Sequence, residues 1–291
     1  MDFHKELYFD DLHTFWQYAM GESEAVYLAS RREGARVVEW SGGLTWEEAK
    51  RMALSGWGDI IPEIEKYRAV ITPIITDKVL RPRQVYAVAG YSVDVGSFLA
   101  NDPECFINRE YEERNYPGKV FKIVCSVSHS SGISKNVIIN RGAIICALID
   151  AIEYAGHRVE VVCNNASAAY NDENSLKGQQ KEDGWFEVSV LIKKATQPLD
   201  MSDLAYCLAH PSMLRRIMFS AAEIEGWSDV SREYGYPAEA TDKGDLYVKE
   251  LFYGEFANES EAVSDVKVID WVLTQLRKLG VDIETDHQIE T

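Results

Sequence analysis

Lys119-Val-Phe-Lys-Ile-Val-Cys-Ser-Val-Ser-His-Ser-Ser131, and after a long apolar stretch His157-Arg-Val-Glu-Val-Val-Cys-Asn164, decide the fold of this chain. Val120 to Val127 are β-branched or apolar at nearly every position, the pattern of a central strand covered on both faces. The strand ends in Ser126-Val-Ser128-His129-Ser130-Ser131, at the place where an open α/β sheet carries its ligand loop. Apolar residues at helical spacing (Ile138, Ile145, Leu148, Ile149 and Ile152) predict a helix over 136–155. Gly142-Ala143 lets it lie close on the sheet, and Gly156 stops it. Val159 to Cys163 is the next core strand. The unit is therefore strand, polar loop, helix, strand.

Downstream, 171–184 is polar and reads as an exposed excursion. Trp185 to Lys193 is a third strand, and a loop connection alone makes it antiparallel to the second. Asp200 caps a helix through Leu208, His210-Pro211 breaks it, and another helix runs over 212–223. Residues 226–244 read as a surface loop. Asp245 to Tyr253 alternates as a fourth strand, and a final helix occupies 262–279 with Gly280 as its stop.

Upstream, Leu12, Phe15, Trp16 and Ala19 share one helical face, with Asp10 or Asp11 as cap. Four aromatics here could stack a ligand or dock on a core. Arg36 to Trp40 reads as a short strand ending at a Gly42-Gly43 turn, which lacks the Lys-Ser/Thr of a phosphate loop. Thr45 and Glu48 form a capping box. A helix near 60–70 follows, limited by Pro73. Asp94 caps a short helix. The expected architecture is a mixed central sheet flanked by helices over 84–281, preceded by a smaller, mostly helical module over 1–83 and followed by an acidic tail at 282–291.

The 291 residues carry a net charge of −17, which repels phosphate backbones on average and keeps the chain soluble. No apolar run approaches the roughly 18 residues of a membrane span, and the first residues lack a signal-peptide pattern, so cytoplasmic residence is expected. The five cysteines have no C-x-x-C spacing and read as reduced core residues. Lys78, Arg81 and Arg83 precede the strand at Val85, with Tyr86 and Tyr91 beside them. That mixture of cation and aromatic suits single-stranded DNA, and it also suits a solvated linker.

The order of elements resembles the von Willebrand factor A-like fold, over about 117–280. In that family a D-x-S-x-S motif ends the first strand and holds a divalent metal. Here Ser126-Val-Ser128-His129-Ser130 matches the serine spacing, with Ser126 where the aspartate belongs. The family's second loop offers a threonine, for which Thr196 or Asp200 is nearest. Its third offers an aspartate, unmatched near Tyr253-Gly254-Glu255. Hard cations prefer at least one carboxylate, so no metal and no cofactor is expected. Other segments resemble an uncharacterised family of tailed bacteriophages and some bacteria. They are Ser41-Gly-Gly-Leu-Thr-Trp-Glu-Glu-Ala49 with Gly56-Trp57, Phe98 to Cys105, Asn140-Arg-Gly-Ala143 and Gly156-His-Arg-Val-Glu160. This resemblance implies a phage or prophage product and no particular activity.

No serine elbow is present, Ser128 and His129 as strand neighbours point to opposite faces, and the aspartates are scattered. A catalytic set is therefore not expected. The expectation is a non-enzymatic phage adaptor that contacts a protein partner through Ser126, Ser128, His129, Ser130 and Asp200. One alternative is a single-stranded DNA-binding cofactor of phage transcription or replication, using Lys78, Arg81, Arg83 and Tyr86. The other is a divalent-metal A-domain.

Overall fold

The computed structural model describes residues 3–79, 82–111, 118–169, 184–231, 233–251 and 265–280, without the side chains of 73–79, 82–84, 109–111 and 265–266. The chain begins with β1 (His4–Phe9), α1 (Leu12–Ala19), α2 (Ala35–Trp40), α3 (Trp46–Ser55), a single 3-10 turn and α4 (Ile61–Val79). Next come β2 (Pro82–Ala87), β3 (Ser92–Val93), α5 (Val95–Leu99) and β4 (Phe106–Tyr111). The unit quoted first in the sequence is β5 (Val120–Ser126), α6 (Lys135–Tyr154) and β6 (Arg158–Ala168). After it lie β7 (Trp185–Lys193), α7 (Met201–Ala209), a π-helical segment at Met213–Met218 and α8 (Phe219–Ile224). The chain then forms α9 (Trp227–Val230), β8 (Tyr236–Pro237), β9 (Leu246–Val248) and α10 (Asp265–Lys278).

The fold is mixed α/β. The central sheet runs β1-β7-β6-β5-β9, with β8 added against the far end of β6. β5, β6 and β9 are parallel to one another, whereas β7 is antiparallel to β6, as expected, and β1 runs parallel to β7. Pleating sends Phe121, Ile123 and Cys125 to one face, into the main core with α6. Val124 goes to the other, under Val162, Leu191 and Ala240. That two-sided burial is why β5 carries so few polar residues.

α6 is buried nearly all round, because α4 and α7 pack against it as well as the sheet. Gly142 serves a different neighbour from the one expected. A Cβ there would lie 2.2 Å from Ala209 Cα, so the glycine admits α7 rather than the sheet.

Several expectations are corrected. The boundary at residue 83 does not divide the core. His4 to Phe9 pair in register with Trp185 to Val190, and Phe15, Trp46, Ile64 and Ile71 share one cluster with Ile145 and Val188. Residues 82–111 instead build their own three-stranded sheet, β2-β4-β3. Arg36 to Trp40 is helical despite its paired valines, because Trp40 is pinned by the loop after β5: its Nε1–H donates to the Ser131 carbonyl at 2.8 Å. α4 continues through Pro73, since buried Ile64, Tyr67 and Ile71 hold it against the core. The stretch 226–244 is not merely a surface loop, for Trp227 is fully buried and β8 pairs with β6. The tail at 282–291 and most of the polar excursion lie outside the described residues.

All five cysteines are buried free thiols. Among the described residues no helix is long and apolar enough to cross a membrane.

Candidate functional site

β5 and β6 run side by side and end at the same edge of the sheet. From Ser126 the chain crosses a short loop to Ser134, whose side chain caps α6 by accepting from the Val137 N–H. The two buried serine hydroxyls at the start of this loop are committed. Ser126 Oγ accepts from the Ser128 N–H at 3.3 Å. Ser128 Oγ lies 2.7 Å from Asn165 Oδ1 and accepts from the Ala166 N–H at 3.1 Å, which ties the end of β5 to β6. On the other side the Leu251 N–H donates to the Ser128 carbonyl at 3.1 Å.

Above this edge is a cavity of about 550 Å³. Its floor is Ser128, His129, Ser130 and Ser131 with Asn165 and Ser167 from β6. One wall is aromatic: Phe219 and Tyr234 stack face to face, 3.6 Å between centroids. Another carries Trp40 and Arg215, with the guanidinium carbon 4.3 Å from the indole centroid. A third is the irregular segment around Tyr27, Ala29 and Arg32. This segment is strapped down by carboxylates beneath it. Asp229 accepts the N–H groups of Val26 and Tyr27 at 3.0 and 2.9 Å, and Glu223 accepts that of Ser30 at 2.8 Å.

The electrostatics of the cavity's inner corner are those of a buried cation. Arg215 is 1% exposed, and it donates to the carbonyls of Trp40 (2.5 Å) and Ile133 (2.7 Å). Burial pulls its pKa down to about 9, so it stays charged at neutral pH. Arg141 of α6 lies beneath, donating to the carbonyls of Ser126 and Lys249. His129 Nδ1 sits 2.7 Å from the Val127 carbonyl. Burial, helped by the Arg215 and Arg141 charges, holds the His129 pKa well below the usual imidazole range. The ring is therefore neutral, and since a carbonyl only accepts, Nδ1 carries the hydrogen.

Ser128, His129 and Ser130 thus line one cavity, and Ser126 is buried under it. Asp200 does not join them, which corrects the expectation. β7 runs antiparallel to β6, so its carboxyl end, and Asp200 after it, lies at the opposite edge of the sheet. There Asp200 caps α7 by accepting from Ser202 and Asp203 N–H groups, and it lines a separate cavity with Asp10, Asp11 and His13. Tyr86 is half exposed and donates to Asp94 Oδ2 at 3.0 Å. Lys78 and Arg83 are placed by backbone alone, in α4 and β2, and Arg81 lies outside the described residues. Among the described residues no three His, Cys, Asp or Glu side chains come together as a metal site. Two guanidinium groups beside the serines disfavour a cation there on charge grounds.

The sequence reading missed Arg215, Trp40 and Ser167. The signal for Arg215 was present: Arg215-Arg216 interrupts the apolar run from Leu208 to Ala222, and a buried cation needs a reason.

Residues 4–283 match the family described as a domain of unknown function, DUF7192. The chain belongs to that family. The DUF7192 match runs through residue 83 without a break, in keeping with the shared core. No curated protein and no solved structure matches the DUF7192 chain.

Proposed function

We propose that this DUF7192 protein is a non-enzymatic binding protein of a bacteriophage, an adaptor that engages a protein partner through the loop at the carboxyl end of β5 and the adjoining end of β6. The observation that carries this reading is the cavity: a serine loop, a buried cation and an aromatic wall converge on one concavity at a sheet edge. The same residues argue against hydrolysis. Ser128 Oγ is spent on Asn165 and the β6 backbone, and His129 Nδ1 is spent on Val127, so no serine–histidine pair forms. The phage assignment rests on the sequence segments quoted above. Ser131→Trp, at the exposed rim, fills the cavity mouth without touching the core. A partner retained by the wild-type protein from infected cells is expected to be lost by this variant, with the fold unchanged by circular dichroism. Equal retention overturns the reading.

A second reading has its own observation. Tyr86 of β2, Tyr91 just before β3 and Phe98 of α5 are 50%, 57% and 59% exposed, three rings within thirteen residues. Single-stranded DNA stacking on these rings, with Arg83 nearby in sequence, is the alternative function. Anisotropy of a labelled oligonucleotide at two salt concentrations tests it: binding that weakens with salt supports it, and no binding at low salt removes it.

A further inference from the structure

Among the described residues, three buried polar groups around the cavity find no hydrogen-bond partner: Arg215 Nε, His129 Nε2 and Ser167 Oγ. Their residues are 1%, 9% and 5% exposed, so water does not reach these atoms freely. Leaving such groups unmade costs about 1–3 kcal/mol each, and more for a charged one. Their chemistry is complementary. Arg215 uses one N–H of each terminal nitrogen on the Trp40 and Ile133 carbonyls. Among the described residues no carboxylate pairs with it. Its Nε–H is left unpaired at the edge of the fork that takes the two oxygens of an oxyanion. His129 is the reverse case. With Nδ1 donating to Val127, Nε2 presents a lone pair and wants a donor. Ser167 can give or accept. Trp40, Phe219 and Tyr234 supply apolar walls beside these groups.

The backbone has been bent to arrange this. Met213–Met218 is π-helical, a rare and costly form that recurs at functional sites. It sends adjacent Arg215 and Arg216 into the interior together. Arg216 ties down the strap through the Ser30 and Arg32 carbonyls (2.6 and 2.8 Å), and Arg215 goes to the cavity.

We infer that the cavity recognises a carboxylate that carries an N–H or O–H donor on the neighbouring position and an apolar body: Arg215 takes the carboxylate, His129 Nε2 the donor, and Trp40 with Phe219 and Tyr234 the body. This deepens the adaptor reading and rests on it. The carboxylate has two possible sources, the free C-terminus of a partner chain and a free N-acyl or hydroxy acid. Divalent anions fit less well, because Arg215 is the one buried charge of the lining, Arg32 and Glu233 at its exposed margin are of opposite sign, and His129 is neutral.

Calorimetry on the full chain tests it with four probes: N-acetylphenylalanine, its primary amide, the tripeptide N-acetyl-Ala-Ala-Phe with a free carboxylate, and inorganic phosphate. The acid is expected to bind at least ~10-fold more tightly than the amide, the scale of one charge-assisted bond. Arg215→Lys keeps the charge but not the fork, and it is expected to abolish that preference. Ser167→Ala, which removes only an unpaired hydroxyl, is expected to weaken the acid several-fold and keeps the test open if the lysine variant fails to fold. A tripeptide tighter than the single residue assigns the site to peptide ends, and equal affinity assigns it to small acids. Amide binding equal to acid, no carboxylate binding at millimolar concentration, or phosphate displacing the acid at equal concentration overturns the inference. If no carboxylate binds and Ser131→Trp still loses its partner, only the ligand assignment falls. If carboxylate binds and that variant keeps its partner, the adaptor reading falls instead.

Discussion

His210 sits where a charge is hard to hold. It is 6% exposed, with Trp57 edge-on at 4.6 Å and Tyr206 stacked at 5.7 Å, and burial pulls its pKa to about 4. The unfolded chain protonates this imidazole near pH 6.5, so between 6.5 and 4 the unfolded state binds more protons. Stability is therefore complete above pH 6.5 and falls toward pH 4, by at most about 3 kcal/mol from this group. Denaturant titrations across that window are expected to show a shallower acid slope for His210→Asn than for wild type. Identical slopes show that the ring titrates normally. Glu223 works in the opposite sense, since burial raises its carboxyl pKa and acidification relieves the buried charge. Its oxygens accept from the Ser30 N–H and hydroxyl and from the Tyr234 hydroxyl, so Glu223→Ala strands three donors. A loss of about 2–4 kcal/mol in unfolding free energy is expected, with the Tyr27–Arg32 wall of the cavity loosened. Neither residue announced itself in the sequence, because what matters for each is the neighbourhood brought by distant segments.

At the scale of elements, Gly142→Ala sets two known effects against each other. In an open helix the change gains up to about 1 kcal/mol. Here the new Cβ meets Ala209 Cα at 2.2 Å and the Leu208 carbonyl at 2.5 Å, both backbone-anchored, and overpacking of this kind costs about 1–3 kcal/mol. Net destabilisation is expected, read as a lower urea midpoint, and a neutral variant would mean that α6 and α7 slide apart easily. Element starts were legible where the signal is local. The caps at Asp11, Thr45, Asp94 and Asp200 all accept the hydrogen bonds that their sequence context implies. The Ser126–Ser131 loop was legible for a similar reason, as the end of an unmistakable core strand. α2 was not, because paired valines favour a strand until Trp40 finds Ser131. The π-helical turn was not either: its register follows from two arginines reaching carbonyls far away in the chain, and no local pattern encodes that.

For the whole molecule, one core predicts one transition. Segments before and after residue 83 share the sheet and its main hydrophobic cluster. Thermal unfolding followed by tryptophan fluorescence and by far-ultraviolet circular dichroism is expected to give coincident curves, and residues 1–83 expressed alone are expected not to fold. Two separated transitions would restore the boundary. The buried cysteines offer an independent check, since burial pushes the Cys125 thiol up to about 12 and the others upward by the same cause where a shift is resolved. Thiol-reactive dye is expected to label the chain only as fast as it opens.

The pairing of β1 with β7 has a consequence for how the protein is made. His4 to Phe9 are translated well before their partners Trp185 to Val190, with some 175 residues of chain between them. β1 must wait, with Leu7 and Phe9 uncovered, until β7 has been made. The nascent chain therefore closes this edge late, and whatever shields that segment during the wait shapes the yield of folded protein.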